Sequence, residues 1–184
     1  ILLIFFIISI NSIYSFSVYL TDNTYSLITR QALFYLLGII LIFIMLKIKP
    51  ETFIKYSPYI YLINVILLIL VLFFGTTING ATAWFSIPLI GTFQPSEFMK
   101  IGLILFLAKI IDSANLKSTK DELLLIIKVF IITLIPSIIT FLEPDTGAVI
   151  IYFVIALIML FISKIRYRWF LILIGSIILL GGIF

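Results

Sequence analysis

Two oppositely charged residues, Glu97 and Lys100, stand three positions apart at the start of an apolar stretch. On a helix that spacing places both side chains on one face. The preceding Gln94-Pro95-Ser96 run is typical of a helix start, because proline suits the first helical position and a first-turn carboxylate meets the positive end of the helix dipole. The pair can be a structural ion pair. It can also be a substrate site in which Glu97 orients Lys100 toward an anion, since ionisable residues at membrane depth are costly and commonly functional.

A second pair of carboxylates, Glu143 and Asp145, flanks Pro144. Two carboxylates at this spacing can carry out acid–base chemistry or hold a divalent cation. The alternative is a tight turn, in which Asp145 caps the following helix and Pro144 ends the preceding one. The turn accounts well for Asp145 and less well for Glu143, so we keep both residues as a possible acidic site.

Arg30 and Trp84 are the other candidates for substrate contact. A guanidinium matches the geometry of phosphate oxygens, and an indole can stack on a sugar ring or an apolar tail. Both residue types are also common anchors at membrane interfaces. Position and composition alone favour the anchoring role for each of them.

The chain contains no histidine and no cysteine. Disulfides and cysteine–metal sites are therefore excluded, and so is the residue that most often serves as a general base near neutral pH. Any proton chemistry must use carboxylates, lysines or tyrosines, and no residue is assigned as a metal ligand.

These residues must be positioned by membrane-spanning helices. Hydrophobic residues make up 64% of the 184 positions and charged residues 11%, far outside the range of soluble domains. Apolar runs long enough to cross a bilayer predict an all-α, polytopic bundle, because lipid offers the backbone no hydrogen-bond partners. The runs lack the alternation of a β-barrel. The predicted spans are residues 1–20, 28–46, 56–74, 95–111, 123–142, 146–162 and a seventh from about 169.

The basic residues predict the orientation of the bundle. Ten of the twelve lie in or beside alternate linkers, and the other two are Arg30 and Lys100. The positive-inside rule then places the amino terminus in the cytoplasm and the linkers near 21–24, 75–94 and 143–145 outside. The outward linker 75–94 is the longest, and its glycines and prolines predict a structured loop or a re-entrant segment. The ten are Lys47, Lys49, Lys55, Lys109, Lys117, Lys120, Lys128, Lys164, Arg166 and Arg168.

The chain begins at Ile1 and ends at Phe184, in both cases inside an apolar run. We therefore expect a piece of a longer protein, with residues 1–184 forming a single membrane domain. No basic segment precedes the first apolar run, so a signal peptide is not expected.

Two stretches, Asn79-Gly80-Ala81-Thr82-Ala83-Trp84-Phe85 and Phe93-Gln94-Pro95-Ser96-Glu97-Phe98-Met99-Lys100, resemble a signature of the SEDS family (shape, elongation, division and sporulation). Its members include RodA, FtsW and SpoVE. The turn Glu143-Pro144-Asp145-Thr146-Gly147 resembles the second signature of the same family. The order of the two signatures and the outward side both agree, and the resemblance covers most of the chain.

The resemblance implies a protein of ten helices in the bacterial inner membrane, of which this chain would hold about seven. It implies a peptidoglycan glycosyltransferase that polymerises lipid II for cell elongation, division or sporulation, with a class B penicillin-binding protein as partner. Trp84, Glu97 and Lys100 match family positions in an outer cavity, and Arg30 matches more weakly. Because lipid II carries a pyrophosphate, Mg²⁺ or Mn²⁺ is a possible cofactor. Nucleic acid is not an expected partner.

Two departures from the family pattern bear on the substrate site. Ala83 stands where the family often has arginine, and Glu143 where it often has glutamine. The loop thus lacks one cation and gains one carboxyl. The catalytic residue, an aspartate in the family, is expected in a later outward loop beyond Phe184, so this segment alone should be inactive.

Two other functions fit an amphiphilic membrane protein with an outward charged site. A flippase for the lipid-linked precursor needs a hydrophilic path that reaches the cytoplasmic side, whereas a polymerase needs one outward-facing site. A non-catalytic scaffold of a division or elongation complex needs neither. The charges near the outer ends of the predicted spans favour the polymerase.

Overall fold

The computed structural model describes residues 1–17, 24–78, 80–87, 91–163, 165–172 and 175. Several sequence predictions fall partly or wholly outside these ranges. They are the linker between the first two spans, the roles of Asn79 and Lys164, and most of the seventh span.

Six helices are described over their full length, and they confirm the prediction of a polytopic helical protein. Residues 167–172 are again helical, where the seventh span was predicted. Leu27–Met45, Pro50–Phe74 and Thr119–Leu142 are long and apolar enough to cross a membrane, and Leu2–Ser15 and Thr146–Ile162 are shorter apolar helices. The helices are α1 (Leu2–Ser17), α2 (Thr24–Met45), α3 (Pro50–Phe74), α4 (Pro95–Asp112), α5 (Thr119–Leu142) and α6 (Thr146–Ile162).

Several helices start earlier than their apolar runs. Helix α3 begins at Pro50, with Glu51 in its first turn, and α5 begins at Thr119. Ser118 and Asp121 form a capping box in which each side chain accepts a hydrogen bond from the other residue's backbone N–H. Hydropathy marks only the lipid-compatible part of a helix, whereas polar caps extend the helix beyond it.

The outward linker folds as a small antiparallel sheet in the order β1-β2-β3, with β1 at Thr76–Ile78, β2 at Ala81–Ile87 and β3 at Gly91–Phe93. Thr76 pairs with Trp84, and Phe85 pairs with Phe93. Gly80 has a φ of 85° directly before β2, a conformation that a residue with a side chain rarely adopts. The described part of the linker is thus a structured loop and not a re-entrant helix.

The chain divides into two compact units, Ile1–Pro50 and Glu51–Phe184. In the first unit α1 packs on α2. Gln31 Nε2 donates to Ser9 Oγ across 2.8 Å, and the rings of Phe6 and Tyr35 meet edge to face at 4.9 Å. The two polar side chains satisfy each other within an otherwise apolar helix pair.

The second unit is a bundle in which α6 packs on both α4 and α5. Its core includes the fully buried Leu103, Val129 and Tyr152. Helix α3 joins this core through Tyr61, whose hydroxyl donates to the backbone oxygen of Ile132 at 2.7 Å. The strands, the start of α4, the end of α5 and the start of α6 lie at one end of this unit, which we call the sheet end.

A polar cluster ties the start of α5, at the opposite end of the second unit, to the segment after α6. Glu122 is largely buried and accepts hydrogen bonds from Arg166 Nε and Trp169 Nε1, both at 2.7 Å. The charge of Arg166 compensates that of the Glu122 carboxylate. The segment after α6 is therefore held to the start of α5 by an ion pair and not by apolar contact alone.

Candidate functional site

Glu97 and Lys100 form the ion pair that their spacing predicted. Glu97 Oε2 and Lys100 Nζ are 2.7 Å apart on the first turns of α4, at the sheet end. The lysine side chain is 21% exposed and the glutamate side chain 56%. The lysine side chain is therefore more buried than the glutamate side chain with which it pairs. This arrangement is compatible with both the structural and the substrate-binding interpretation.

Asp145 is the N-cap of α6, as the sequence predicted. Its Oδ1 accepts from the backbone N–H of Ala148 at 3.1 Å. Its Oδ2 accepts from Gln94 Nε2 at 2.9 Å and from Ser96 Oγ at 3.2 Å. A single carboxylate therefore satisfies the first turn of α6 and also joins it to the start of α4.

Tyr152 completes this junction from within α6. It is fully buried, and its hydroxyl donates to the backbone oxygen of Ser96 at 3.1 Å. We call the four residues Gln94, Ser96, Asp145 and Tyr152 the clasp. The sequence analysis did not identify Gln94 and Ser96 as partners of Asp145, or Tyr152 as a partner of Ser96. The two signatures that contain Gln94 and Asp145 were the only available hint, because the residues are about 50 positions apart.

Glu143 lies in the turn after α5 and is fully buried. Neither of its carboxyl oxygens has a hydrogen-bond partner in the described part of the chain. Burial, together with the nearby charge of Asp145, raises the pKa of Glu143 to about 8. The carboxyl is therefore mainly neutral at pH 7, which a simple turn does not explain.

Trp84 lies on β2 and is partly buried. Its backbone oxygen accepts from Thr76 Oγ1 at 3.1 Å. Strand β2 contacts α4, and the ring of Phe93 on the adjacent strand packs at a tilt against the ring of Phe98 on α4, with 4.8 Å between centroids. These contacts hold the tryptophan's strand against the helix that carries Glu97 and Lys100.

Ala83 and Arg30 are the remaining residues that the sequence analysis singled out. Ala83, which replaces the family's frequent arginine, is fully buried within β2. Its position is therefore suited to a small side chain in this protein. Arg30 is exposed on α2, in the first unit, whereas the other candidates belong to the second unit.

A resident divalent cation does not fit the acidic turn. Both oxygens of Asp145 already accept hydrogen bonds from protein donors. Within the described ranges, no three Asp or Glu side chains come together as a set that could hold a metal ion. The turn offers one buried carboxyl at Glu143 and the hydroxyl of Thr140, which is too small a set of oxygens for such a site.

A family of cell cycle proteins that takes its name from FtsW, RodA and SpoVE matches the chain over residues 1–184. A probable peptidoglycan glycosyltransferase FtsW from Haemophilus influenzae is 36% identical over 154 residues, covering 84% of this chain and 38% of the relative. The peptidoglycan glycosyltransferase MrdB of Escherichia coli K12 is 32% identical over 152 residues, covering 80% and 38%. The chain thus spans about two fifths of the length of these curated relatives.

Two solved structures are also similar to this chain in fold and in sequence. The crystal structure of the rod shape determining protein RodA from Thermus thermophilus has a TM-score of 0.72 and 27% identity, covering 97% of this chain and 58% of RodA. A structure described as a peptidoglycan synthase complex that coordinates polymerisation and crosslinking has a TM-score of 0.74 and 28% identity, with 97% and 52% covered.

Proposed function

The chain belongs to the FtsW, RodA and SpoVE family of cell cycle proteins, and from this we propose that it is part of a peptidoglycan glycosyltransferase that polymerises lipid II. The observation that carries the proposal is the cluster of polar and charged side chains at the sheet end. There the Glu97–Lys100 pair and the clasp converge at the starts of α4 and α6, beside the strand that carries Trp84.

Lys100 is the cation that we assign to the pyrophosphate of lipid II. A fixed positive charge stabilises the negative charge that develops on a leaving pyrophosphate. Glu97 orients the ammonium group, and its own greater exposure lets an incoming anion replace it as the partner of the lysine. Trp84 offers an apolar face for a sugar ring or for the lipid.

The general base would come from a segment outside this chain. The carboxylate of Asp145 is fully engaged by the clasp, and Glu143 is buried, so neither is placed to accept a proton from a sugar hydroxyl. The role of the described residues is then to bind and orient the substrate, while the remainder of the protein completes the reaction.

The distribution of polar groups supports a polymerase over a flippase. In the second unit the charged clusters lie at the two ends, around Lys100 and around Glu122. The described core between them is mainly apolar, with Leu103, Leu107 and Val129 fully buried. Its polar side chains Asn64, Thr133 and Ser137 donate to backbone oxygens of their own helices. A flippase would need a hydrophilic path along this direction.

The environment proposed for the protein follows from the same premise. The sheet end faces outward across the bacterial inner membrane, and the lysine-rich linkers and the amino terminus face the cytoplasm. A class B penicillin-binding protein is the expected partner, by analogy with the synthase complex. The divalent cation stays a prediction, and we assign it no ligands in this chain.

The test is polymerisation of labelled lipid II by the full-length protein with its transpeptidase partner. Lys100→Ala is compared with Lys109→Ala, which removes a lysine near the other end of the same helix. We expect loss of polymer only for Lys100→Ala, with both variants folded in detergent. Equal activity of the two variants would reduce Glu97–Lys100 to a structural pair, and no polymer from the wild type would reject the polymerase.

A further inference from the structure

We propose that Glu143 is a positioning residue that acts in its protonated form: the neutral carboxyl supports the turn that holds Asp145 in the clasp, and loss of the proton disrupts it. The consequence for polymerisation rests on the proposed function. The consequence for the turn itself does not.

The first argument is the combination of complete burial and missing partners. Glu143 is 0% exposed, and neither of its two oxygens receives a hydrogen bond from any described residue. An ionised carboxylate in such a place loses its hydration and gains no donor in exchange, which costs several kcal/mol. Protonation removes the charge and turns one oxygen into a donor.

The second argument is that an acceptor is available for that proton. Thr140 stands three residues earlier on the last turn of α5, so its side chain shares a helix face with Glu143. Its Oγ1 is also fully buried, and apart from an interaction with the Tyr152 hydroxyl, which donates its own proton to Ser96, no described residue donates to it. A neutral Glu143 offers a donor to this region, whereas an ionised Glu143 adds only more acceptors.

The third argument compares the two neighbouring carboxyls. Asp145 accepts three hydrogen bonds, from Gln94, Ser96 and the N–H of Ala148. Glu143 accepts none from described residues. The charge of the neighbouring Asp145 disfavours ionisation of Glu143, so the proton belongs to Glu143.

The charged and titratable groups on the packed elements do not reverse this assignment. From α4, Lys100 is already paired with Glu97 at 2.7 Å. From α6, Tyr152 donates its proton to the backbone oxygen of Ser96. The charge of Asp145 opposes ionisation of Glu143. The raised pKa of Glu143, about 8, agrees with this geometry.

The assignment also explains how a glutamate can stand where the family often has glutamine. A neutral carboxyl and a carboxamide have nearly the same shape, and each presents one donor and one acceptor atom. A protonated Glu143 therefore adds no negative charge to the end of the bundle that is proposed to bind pyrophosphate.

The experiment uses full-length wild type and Glu143→Gln, each with its transpeptidase partner. Infrared difference spectroscopy follows the carbonyl band of a neutral carboxylic acid, and lipid II polymerisation is measured in parallel from about pH 6 to pH 9.5. With a pKa of about 8, wild-type polymerisation should fall about tenfold between pH 7 and pH 9 as the proton is lost. The infrared band should titrate over the same range in the wild type and be missing from Glu143→Gln, whose activity should not fall across it.

Three results would overturn the proposal. They are an infrared band that is missing at pH 7, equal pH profiles of the two proteins, and restoration of wild-type activity at pH 9 by Mg²⁺ or Mn²⁺, which would make the site a metal site. If Glu143→Gln fails to fold, Glu143→Met, which also removes the carboxyl at similar size, takes its place in assigning the infrared band to Glu143. Absence of polymer from both proteins at every pH would reject the polymerase, while a titrating band would continue to support the buried acid.

Discussion

Gln94 donates its side-chain amide to Asp145 Oδ2 across 2.9 Å, joining the residue before α4 to the N-cap of α6. The same oxygen accepts from Ser96, and the other oxygen caps α6. This carboxylate therefore joins the two helix starts at the candidate site. The position of the Glu97–Lys100 pair relative to α6 therefore depends on Asp145.

We predict that Asp145→Ala lowers the free energy of unfolding by more than the loss of a helix cap alone. A lost N-cap costs about 1 kcal/mol, and two further donors, on Gln94 and Ser96, would lose their acceptor. Thermal unfolding in detergent measures the effect, with the exposed Asp112→Ala at the other end of α4 as control. Equal unfolding temperatures for the two variants would show that the clasp adds no stability.

The sequence predicted the cap but not the clasp, for a physical reason. Capping is local: Asp145 and Ala148 are three residues apart, and the turn chemistry is visible in the chain. Gln94 and Tyr152 reach their partners across 51 and 56 positions, and only the packing of α4 on α6 brings them together. Hydropathy located the spans because lipid imposes length and apolar character directly.

The three strands and the burial of Glu143 could not be predicted from the sequence, for related reasons. The strands are short and lie between strongly apolar helices, so an alternation of polar and apolar residues is hard to distinguish there from the surrounding hydropathy pattern. The burial of Glu143 arises in a bundle where α4 and α6 both pack on α5, and such packing is not visible in the chain. The turn interpretation therefore explained Asp145 and left Glu143 open.

We predict that stability falls with rising pH because of Glu143. Its pKa is about 8 in the folded protein against 4.5 for an ordinary glutamate. A group with a raised folded pKa contributes stability that is full below the unfolded pKa and is lost as pH rises through the folded value. The slope is at most about 1.4 kcal/mol per pH unit, between about pH 4.5 and pH 8.

Glu143→Gln isolates this contribution. The unfolding temperature of the variant in detergent should exceed that of the wild type at pH 8, and the difference should vanish near pH 4.5. Glu51→Gln, at an exposed position at the start of α3, serves as the matched control. A pH-independent difference between wild type and Glu143→Gln would contradict the raised pKa.

At the opposite end of the second unit, we predict that substitution of Glu122 destabilises the fold more than substitution of the exposed Glu51. Glu122 is largely buried and accepts from Arg166 and Trp169, so Glu122→Ala leaves both donors without their acceptor. Because Arg166 is about half exposed and can turn to water, we expect a loss of about 1–3 kcal/mol and not the larger cost of a fully buried pair. Chemical denaturation in detergent measures it, and a loss no greater than that of Glu51→Ala would mean that the cluster is not structural.

The central claim is that Lys100 binds the pyrophosphate of lipid II, and equilibrium binding of lipid II to the full-length protein tests it most directly. Wild type, Lys100→Ala and the control Lys109→Ala are compared at fixed ionic strength, after each is shown to be folded. Removal of a charge-assisted contact worth about 1.5–3 kcal/mol should weaken Lys100→Ala by about tenfold or more and leave Lys109→Ala near the wild-type Kd. Equal affinity for all three proteins would contradict the claim and leave Glu97–Lys100 as an ion pair that only stabilises α4.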